Sequence, residues 1–130
     1  MSQENVEIMR RGYEAFNRGD FDTAMALSRP DVEFIRPGIE SPPKGREAIR
    51  AWMEPDAFAE QRIEPLEFRV NGDKVLVRQR MFARGAGSGI ELDTGSWAVW
   101  TLDDEGFIAR GEMFMLDQEA EALEAAGLSE

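Results

Sequence analysis

The sequence contains no cysteine and no histidine among its 130 residues. These two absences exclude disulfide bonds, thiol nucleophiles, Ser-His-Asp relays and metal sites that depend on cysteine or histidine ligands. Any acid–base chemistry would depend on aspartate, glutamate, tyrosine, lysine or arginine. We therefore expect a protein without a bound metal or other cofactor.

The sequence also lacks a long apolar run and an excess of positive charge. No stretch approaches the ~20 apolar residues of a membrane span, and the N-terminus lacks the basic and then apolar pattern of a signal peptide. Lysine and arginine number 15 against 26 aspartate and glutamate residues, a net charge of −11, which would repel nucleic acid and anionic membranes. We therefore expect a cytoplasmic protein with no nucleic-acid or membrane partner.

The first half of the chain has the apolar spacing of helices. Apolar residues recur at intervals of three and four over about residues 3–17, which predicts an amphipathic helix. Asp20 predicts the N-cap of a second helix that ends near residue 27. A third helix is expected over residues 46–53, after a short strand at 32–35.

From residue 62 onward, apolar and polar residues alternate, as in half-buried strands. Strands are expected at about 62–70, 74–84, 91–102 and 107–116, and Asn71-Gly72-Asp73 predicts a tight hairpin. Asp117 can cap a last helix, for which Gly127 is the predicted C-terminal stop. This order predicts a single α+β domain over residues 1–130. Its cone-shaped, curved antiparallel sheet of about five to six strands would be wrapped around three N-terminal helices, with a short C-terminal helix.

Five segments together resemble the nuclear transport factor two-like superfamily, and specifically its SnoaL-like branch. They are YEAFNRGDFDTAMAL, PDVEFIRP, GREAIRAW, VWTLDDEGFI and FMLDQEAEALEAAGL. The resemblance implies a conical barrel with a pocket, which is usually homodimeric through its sheet. Members include steroid isomerases, polyketide cyclases, epoxide hydrolases, dehydratases and proteins that only bind, so the resemblance implies a shape more strongly than an activity.

Two activities of the superfamily are excluded by the residues at the matching positions. The ketosteroid isomerase pattern requires a carboxylate base, a tyrosine and a protonated aspartate. Those positions fall on Arg36, Gly12 and Ala98, and Tyr13 is one residue away from the tyrosine position. Scytalone-type dehydratases require two histidines, and this chain has none.

Two other activities are matched in part. The limonene epoxide hydrolase pattern requires Arg-x-Asp on one strand and an acid on the last strand. Here Arg80 matches the arginine, Phe82 replaces the aspartate, and Glu112 or a neighbour matches the final acid. SnoaL-type cyclases use a single acid–base carboxylate in an apolar pocket, and Glu112 is the candidate for that role as well.

The pocket wall follows from the alternation of strand residues. If Arg80 faces the pocket, then Arg78 and Phe82 do so too, and Val77, Gln79 and Met81 lie on the opposite face. The rest of the predicted sheet wall consists of Ser96, Ala98, Trp100, Glu112 and Phe114. The predicted helical side consists of Tyr13, Phe16, Phe34 and Trp52, with Arg36 at the rim.

Three functions remain open at this stage. The first is a cofactor-free isomerase, cyclase or hydrolase for a small apolar substrate, with Glu112 as acid–base residue and Arg80 polarising a substrate oxygen. The second is a non-catalytic binder of an apolar ligand whose carboxylate is held by Arg36, Arg78 or Arg80. The third is a dimeric interaction module with a filled core, in which Arg80 and Glu112 form only a structural pair.

A homodimer is expected in each case. The superfamily usually pairs through the outer face of its sheet. Four apolar residues of this chain are expected on that face, namely Val77, Met81, Trp97 and Val99.

Overall fold

The computed structural model describes residues 2–35, 44–53 and 58–128. In chain order they form helices α1 (Ser2–Asn17) and α2 (Phe21–Ala26), strand β1 (Ser28–Ile35), helix α3 (Arg46–Met53), strands β2 (Phe58–Asn71), β3 (Lys74–Gly85), β4 (Glu91–Leu102) and β5 (Ile108–Met115), a short 3-10 helix (Leu116–Gln118) and helix α4 (Glu119–Ala125). Within these ranges, no helix has both the length and the apolar character needed to cross a membrane.

The five strands form one sheet in the order β1-β5-β4-β3-β2. The α+β fold with a curved open sheet, N-terminal helices and a short C-terminal helix is confirmed. Strands β2 to β5 pair antiparallel, as predicted, whereas β1 pairs with β5 in parallel. The sequence does not indicate this parallel pair, because the two strands are far apart in the chain and no hairpin turn joins them.

Local sequence signals account for the ends of several elements. The Asp20 carboxylate accepts a hydrogen bond from the Thr23 backbone N–H at 3.2 Å and caps α2 as predicted. Gly72 has φ of 61° in the two-residue turn between β2 and β3, a conformation that glycine adopts without steric cost. The predicted hairpin is therefore confirmed.

The sheet carries an apolar cluster on each face. The inner cluster joins the sheet to α1, α2 and α3. It consists of Met9, Tyr13, Met25, Val32, Phe34, Ile49, Val75, Val77, Ala98, Trp100, Leu102 and Ile108. The outer cluster packs against α4 and contains Leu76, Trp97, Val99, Ala122, Leu123 and Ala126. The central strands are consequently buried on both faces where α4 lies.

Helix α4 is held on the outer face by its C-terminal turn. Gly127 has φ of 72°, and the Leu128 N–H donates to the Leu123 carbonyl at 2.8 Å, so the predicted glycine stop is confirmed. The Asn71 amide at the β2–β3 hairpin donates to the carbonyls of Ala126 and Gly127 at 2.9 and 3.0 Å. The hairpin and the helix end therefore stabilise each other.

Two of the four residues expected on the outer face lie on the inner face instead. Val77 belongs to the inner cluster, and Met81 lines the cavity described below. Trp97 and Val99 do lie on the outer face, but α4 covers them. The apolar surface that was expected to support a homodimer is thus used within the chain.

Candidate functional site

The inner face of the sheet and the N-terminal helices enclose a cavity of about 910 Å³. Its wall is mostly apolar and includes aromatic rings from α1, β1 and β4. Five methionines contribute to it, namely Met9, Met25, Met81, Met113 and Met115. Since methionine side chains are unbranched and flexible, such a wall can adapt to ligands of different shapes.

A chain of four hydrogen-bonding side chains crosses this apolar wall. The Trp100 indole N–H donates to the Tyr13 hydroxyl at 3.0 Å, and that hydroxyl donates to Oε1 of Gln79 at 2.5 Å. The Gln79 amide Nε2 donates in turn to Oγ of Ser96 at 3.1 Å. Tyr13, Gln79 and Trp100 are buried, so the bonds satisfy polar groups that would otherwise be costly to desolvate.

Tyr13 is a neutral hydrogen-bonding group in this site. Burial raises the pKa of the Tyr13 phenol well above its usual value, and the hydrogen bond from Trp100 opposes that rise. The phenol is therefore fully protonated near neutral pH, and its proton is directed at Gln79. Tyr13 can orient its neighbours, but it is not arranged to give up its proton to water.

Trp100 is positioned by close packing as well as by its hydrogen bond. Its ring meets the Tyr13 ring edge-on, with centroids 6.2 Å apart, and lies 5.3 Å from the Phe34 ring. A Cβ atom at Gly111 would lie 2.5 Å from a Trp100 ring carbon. The absence of a side chain at Gly111 is therefore what lets the indole lie against β5.

Several predicted pocket residues do lie at the cavity. Tyr13, Phe16, Phe34 and Trp100 line it, although binding by these residues stays a prediction. Ala98 faces the same side, as predicted, but packs inside the inner cluster rather than on the cavity wall.

Three other predicted residues are at the border of the cavity or outside the described ranges. Phe114 borders the cavity and also packs against the outer cluster. Arg36 and the side chain of Trp52 fall outside the described part of the chain.

The predicted inward placement of Arg78, Arg80 and Phe82 is wrong. All three lie on the outer face of β3, where Arg80 donates to both carboxylate oxygens of Asp93 at 2.8 and 2.6 Å. This bidentate bond lowers the pKa of the Asp93 carboxyl. The Arg78 guanidinium lies 6.0 Å from the Trp97 ring, and Phe82 packs under the guanidinium of Arg62 at 5.4 Å.

The physical reason for this correction is the cost of burying charge. A guanidinium needs water or an anionic partner, and the outer face provides both. The neutral amide of Gln79 can be buried because Tyr13 and Ser96 satisfy it. Gln79, Met81 and Ala83 therefore form the β3 part of the cavity wall.

The predicted placement of Glu112 in the cavity is also wrong. Glu112 pairs with Val99 across β4 and β5, so it shares the outer face, and its Oε1 lies 3.6 Å from Nε of Arg110. The register of β5 differs by one residue from the predicted one, which turns Met113 inward. Arg80 and Glu112 do not pair with each other either, since Asp93 and Arg110 are their partners.

The sequence reasoning missed Gln79 as a site residue. A signal was available: Gln79 is the one uncharged side chain in Arg78-Gln79-Arg80, and a neutral amide costs less to bury than a guanidinium. Within the ranges that the structure describes, Asp117 is the only acidic residue on the cavity wall, and it is exposed. In the same ranges, no group of three or more His, Cys, Asp or Glu side chains could hold a metal ion.

Comparisons with known proteins agree with this fold. No curated protein is a significant sequence match. Bal32a, from a soil-derived mobile gene cassette, is 29% identical with a TM-score of 0.79, and the match covers 93% of this chain and 95% of Bal32a. TerC, co-crystallised with polyporic acid, is 25% identical with a TM-score of 0.74 over 93% and 98% of the two chains. The epoxide hydrolase/cyclase-like enzyme SalBIII is 23% identical with a TM-score of 0.78 over 86% and 90%.

The family model of the SnoaL-like domain matches residues 9–111. That range runs from the middle of α1 into β5 and so includes the helices and strands that enclose most of the cavity. The chain belongs to the SnoaL-like domain family.

Proposed function

We propose that this protein binds a small, uncharged, predominantly apolar molecule in the cavity. The observation that carries the proposal is a space of about 910 Å³ with a mostly apolar wall, which is crossed by a chain of neutral groups bonded to one another. Ligand sites in proteins are commonly cavities of roughly 300–1,000 Å³ with such a wall. Burial of the ligand's apolar surface would provide the main driving force.

The related fold supports a role in taking up small molecules. TerC, which is 25% identical, was co-crystallised with polyporic acid. The proposal corresponds to the non-catalytic alternative predicted from the sequence, with the change that no arginine holds the ligand at the described wall. An interaction module with a filled core is less well supported, because the space between the helices and the sheet is open.

An isomerase, cyclase or hydrolase with Glu112 and Arg80 as its active groups is not supported by the placement of these residues. Both side chains lie on the outer face, where they pair with Arg110 and Asp93. The cavity wall that the structure describes can bind and orient a ligand, but it lacks the buried acid–base carboxylate that the cyclase pattern requires.

Binding can be tested with two variants at neighbouring positions on opposite faces of β3. Met81→Glu places a carboxylate in the cavity wall, whereas Phe82→Glu places the same group on the outer face beside Arg62. A panel of uncharged aromatic and alicyclic compounds would be screened by thermal denaturation and by quenching of tryptophan fluorescence. A ligand at about 100 times its Kd would stabilise the fold by about 2.7 kcal/mol.

We expect hits with the unmodified protein and with Phe82→Glu, and weaker or absent binding with Met81→Glu, because the added charge must be desolvated against the ligand. No hits across compounds of increasing size would overturn the proposal. Equal binding to both variants would place the ligand elsewhere and would overturn it as well.

A cytoplasmic homodimer remains part of the proposal. Because α4 covers Trp97 and Val99, a dimer through the outer face would have to use the more polar β3–β4 surface that carries Arg80 and Asp93. Sedimentation at micromolar concentration distinguishes the two states, and a monomer under those conditions would remove the dimer from the proposal.

A further inference from the structure

The four-residue hydrogen-bond chain has a direction, and Trp100 sets it. An indole N–H can only donate, so the Tyr13 oxygen must accept from Trp100 and use its own proton elsewhere. That proton goes to Oε1 of Gln79. The amide NH₂ of Gln79 is therefore turned toward Ser96 and Met113, at 3.1 and 3.6 Å.

The direction continues to Ser96. Its oxygen accepts from Gln79, so its hydroxyl proton remains to be donated, and no acceptor for it is found among the residues that the structure describes. Ser96 lines the cavity. The second N–H of Gln79 faces only the Met113 thioether, which is a weak acceptor. The chain therefore ends in donors at the cavity wall.

We propose that the ligand carries a neutral hydrogen-bond acceptor, a ketone or a similar carbonyl oxygen, which the Ser96 hydroxyl and the Gln79 amide recognise. This inference rests on the proposed function and specifies the class of molecule. A carbonyl oxygen accepts two hydrogen bonds and brings no proton of its own, so it complements both donors. Donor groups polarised along a chain of hydrogen bonds are stronger than isolated ones.

The same wall disfavours two other kinds of ligand. A carboxylate would accept the same hydrogen bonds, but no lysine or arginine lies on the cavity wall within the described ranges to balance its charge, and an unpaired buried charge is costly. An alcohol could accept from Ser96 as well, but it matches two donors less well than a carbonyl does, because it brings a proton that needs an acceptor of its own. The expected order of affinity is ketone, then alcohol, then carboxylate.

The test uses ligands of one shape and different polarity. One set is 2-acetylnaphthalene, 1-(2-naphthyl)ethanol, 2-ethylnaphthalene and 2-naphthoate. Equivalent sets with fewer and with more rings would test ligands of different sizes in the cavity. Kd values would be measured from Trp fluorescence and by calorimetry. We expect the ketone to bind about tenfold more tightly than the hydrocarbon, the effect of a net hydrogen bond.

Ser96→Ala and Thr101→Ala form a matched pair of variants. Thr101 lies five residues later on β4 and also carries a hydroxyl, but it is not on the cavity wall. We expect Ser96→Ala to reduce the ketone preference to about threefold or less, while Thr101→Ala leaves it unchanged. Ser96→Thr keeps the hydroxyl and should restore the preference. A loss that Ser96→Thr does not restore would count against the hydroxyl's role.

The outcomes separate this inference from the proposed function. If no compound of any size binds, the proposed function fails. If hydrocarbon and ketone bind equally well, or if Ser96→Ala keeps the full preference, the cavity binds ligands but this inference is wrong. A preference for 2-naphthoate would overturn it in favour of an acid. If Ser96→Ala does not fold, the comparison of the four ligands with the unmodified protein still tests whether the cavity prefers a ketone, and Ser96→Thr tests the hydroxyl.

Discussion

Tyr13 is the only tyrosine in the chain, so a titration to high pH reports on one buried phenol. Its usual pKa is 10.0, and burial raises this pKa in the folded protein. Ionisation would place a charge in an apolar site and would remove the proton donated to Gln79. We predict that the folded protein does not form tyrosinate in the pH range where a free tyrosine does.

The consequence for stability follows from proton linkage. Between pH 10 and the raised folded pKa, the unfolded chain has lost the Tyr13 proton and the folded chain keeps it. The unfolded state then binds fewer protons, so the free energy of unfolding falls as pH rises, by about 1.4 kcal/mol per pH unit. The contribution is fully present below the unfolded pKa near 10 and is lost progressively above it.

The near-ultraviolet absorbance of tyrosinate gives a direct measurement. It would be followed against pH in native buffer and in concentrated urea, where we expect a midpoint near 10 only in urea. Urea unfolding curves at a series of pH values above about 9 then give the slope of stability. Tyr13→Phe is the control, because it keeps every lysine and arginine and removes only the phenolic hydroxyl group.

Two results would refute this reasoning. The first is a tyrosinate midpoint near 10 in native buffer while tryptophan fluorescence remains that of the folded protein, which would mean that the cavity water reaches the phenol. The second is an unchanged pH slope in Tyr13→Phe, which would assign the alkaline loss of stability to other groups.

Three further predictions concern packing and the two faces of the sheet. Gly111→Ala should cost about 1–3 kcal/mol by overpacking against Trp100 and should shift the tryptophan emission; urea unfolding with no change in midpoint would contradict it. Leu123→Ala should lower the free energy of unfolding by about 2–5 kcal/mol, because Leu123 of α4 is buried in the outer cluster with Trp97. A decrease below about 1 kcal/mol would mean that α4 contributes little to stability. Arg80→Met should leave ligand affinity unchanged, since Arg80 lies outside the cavity, and reduced binding of the screened ligands would argue for an inward role after all.

Much of the fold could be predicted from local features of the sequence. The helix over residues 3–17, the Asp20 cap, the hairpin at Gly72 and the stop at Gly127 each depend on residues close together in the chain, and the structure has all of them. The aromatic side of the cavity was also predictable, because Tyr13 and Phe16 lie on the apolar face of one helix. Amphipathic spacing determines which way such residues face.

The direction of side chains on the central strands was decided by tertiary structure. Val75, Leu76 and Val77 are all buried, since α4 covers one face of β3 and the N-terminal helices cover the other. Alternation alone therefore did not determine which β3 residues face the helices. The match of Arg80 to a family pattern led to the wrong face. The register of β5 differs by one residue from the predicted one, and Glu112 therefore lies on the outer face rather than in the cavity.

The hydrogen-bond chain at the cavity shows why the sequence could not settle the site. Tyr13, Gln79, Ser96 and Trp100 come from α1, β3 and β4 and are separated by up to 87 positions. Whether a glutamine is buried depends on the partners that distant elements bring to it, because an unsatisfied buried amide is costly and a satisfied one is not. The sequence determined the helices, strands and turns, whereas the polar groups of the cavity were determined only when those elements packed.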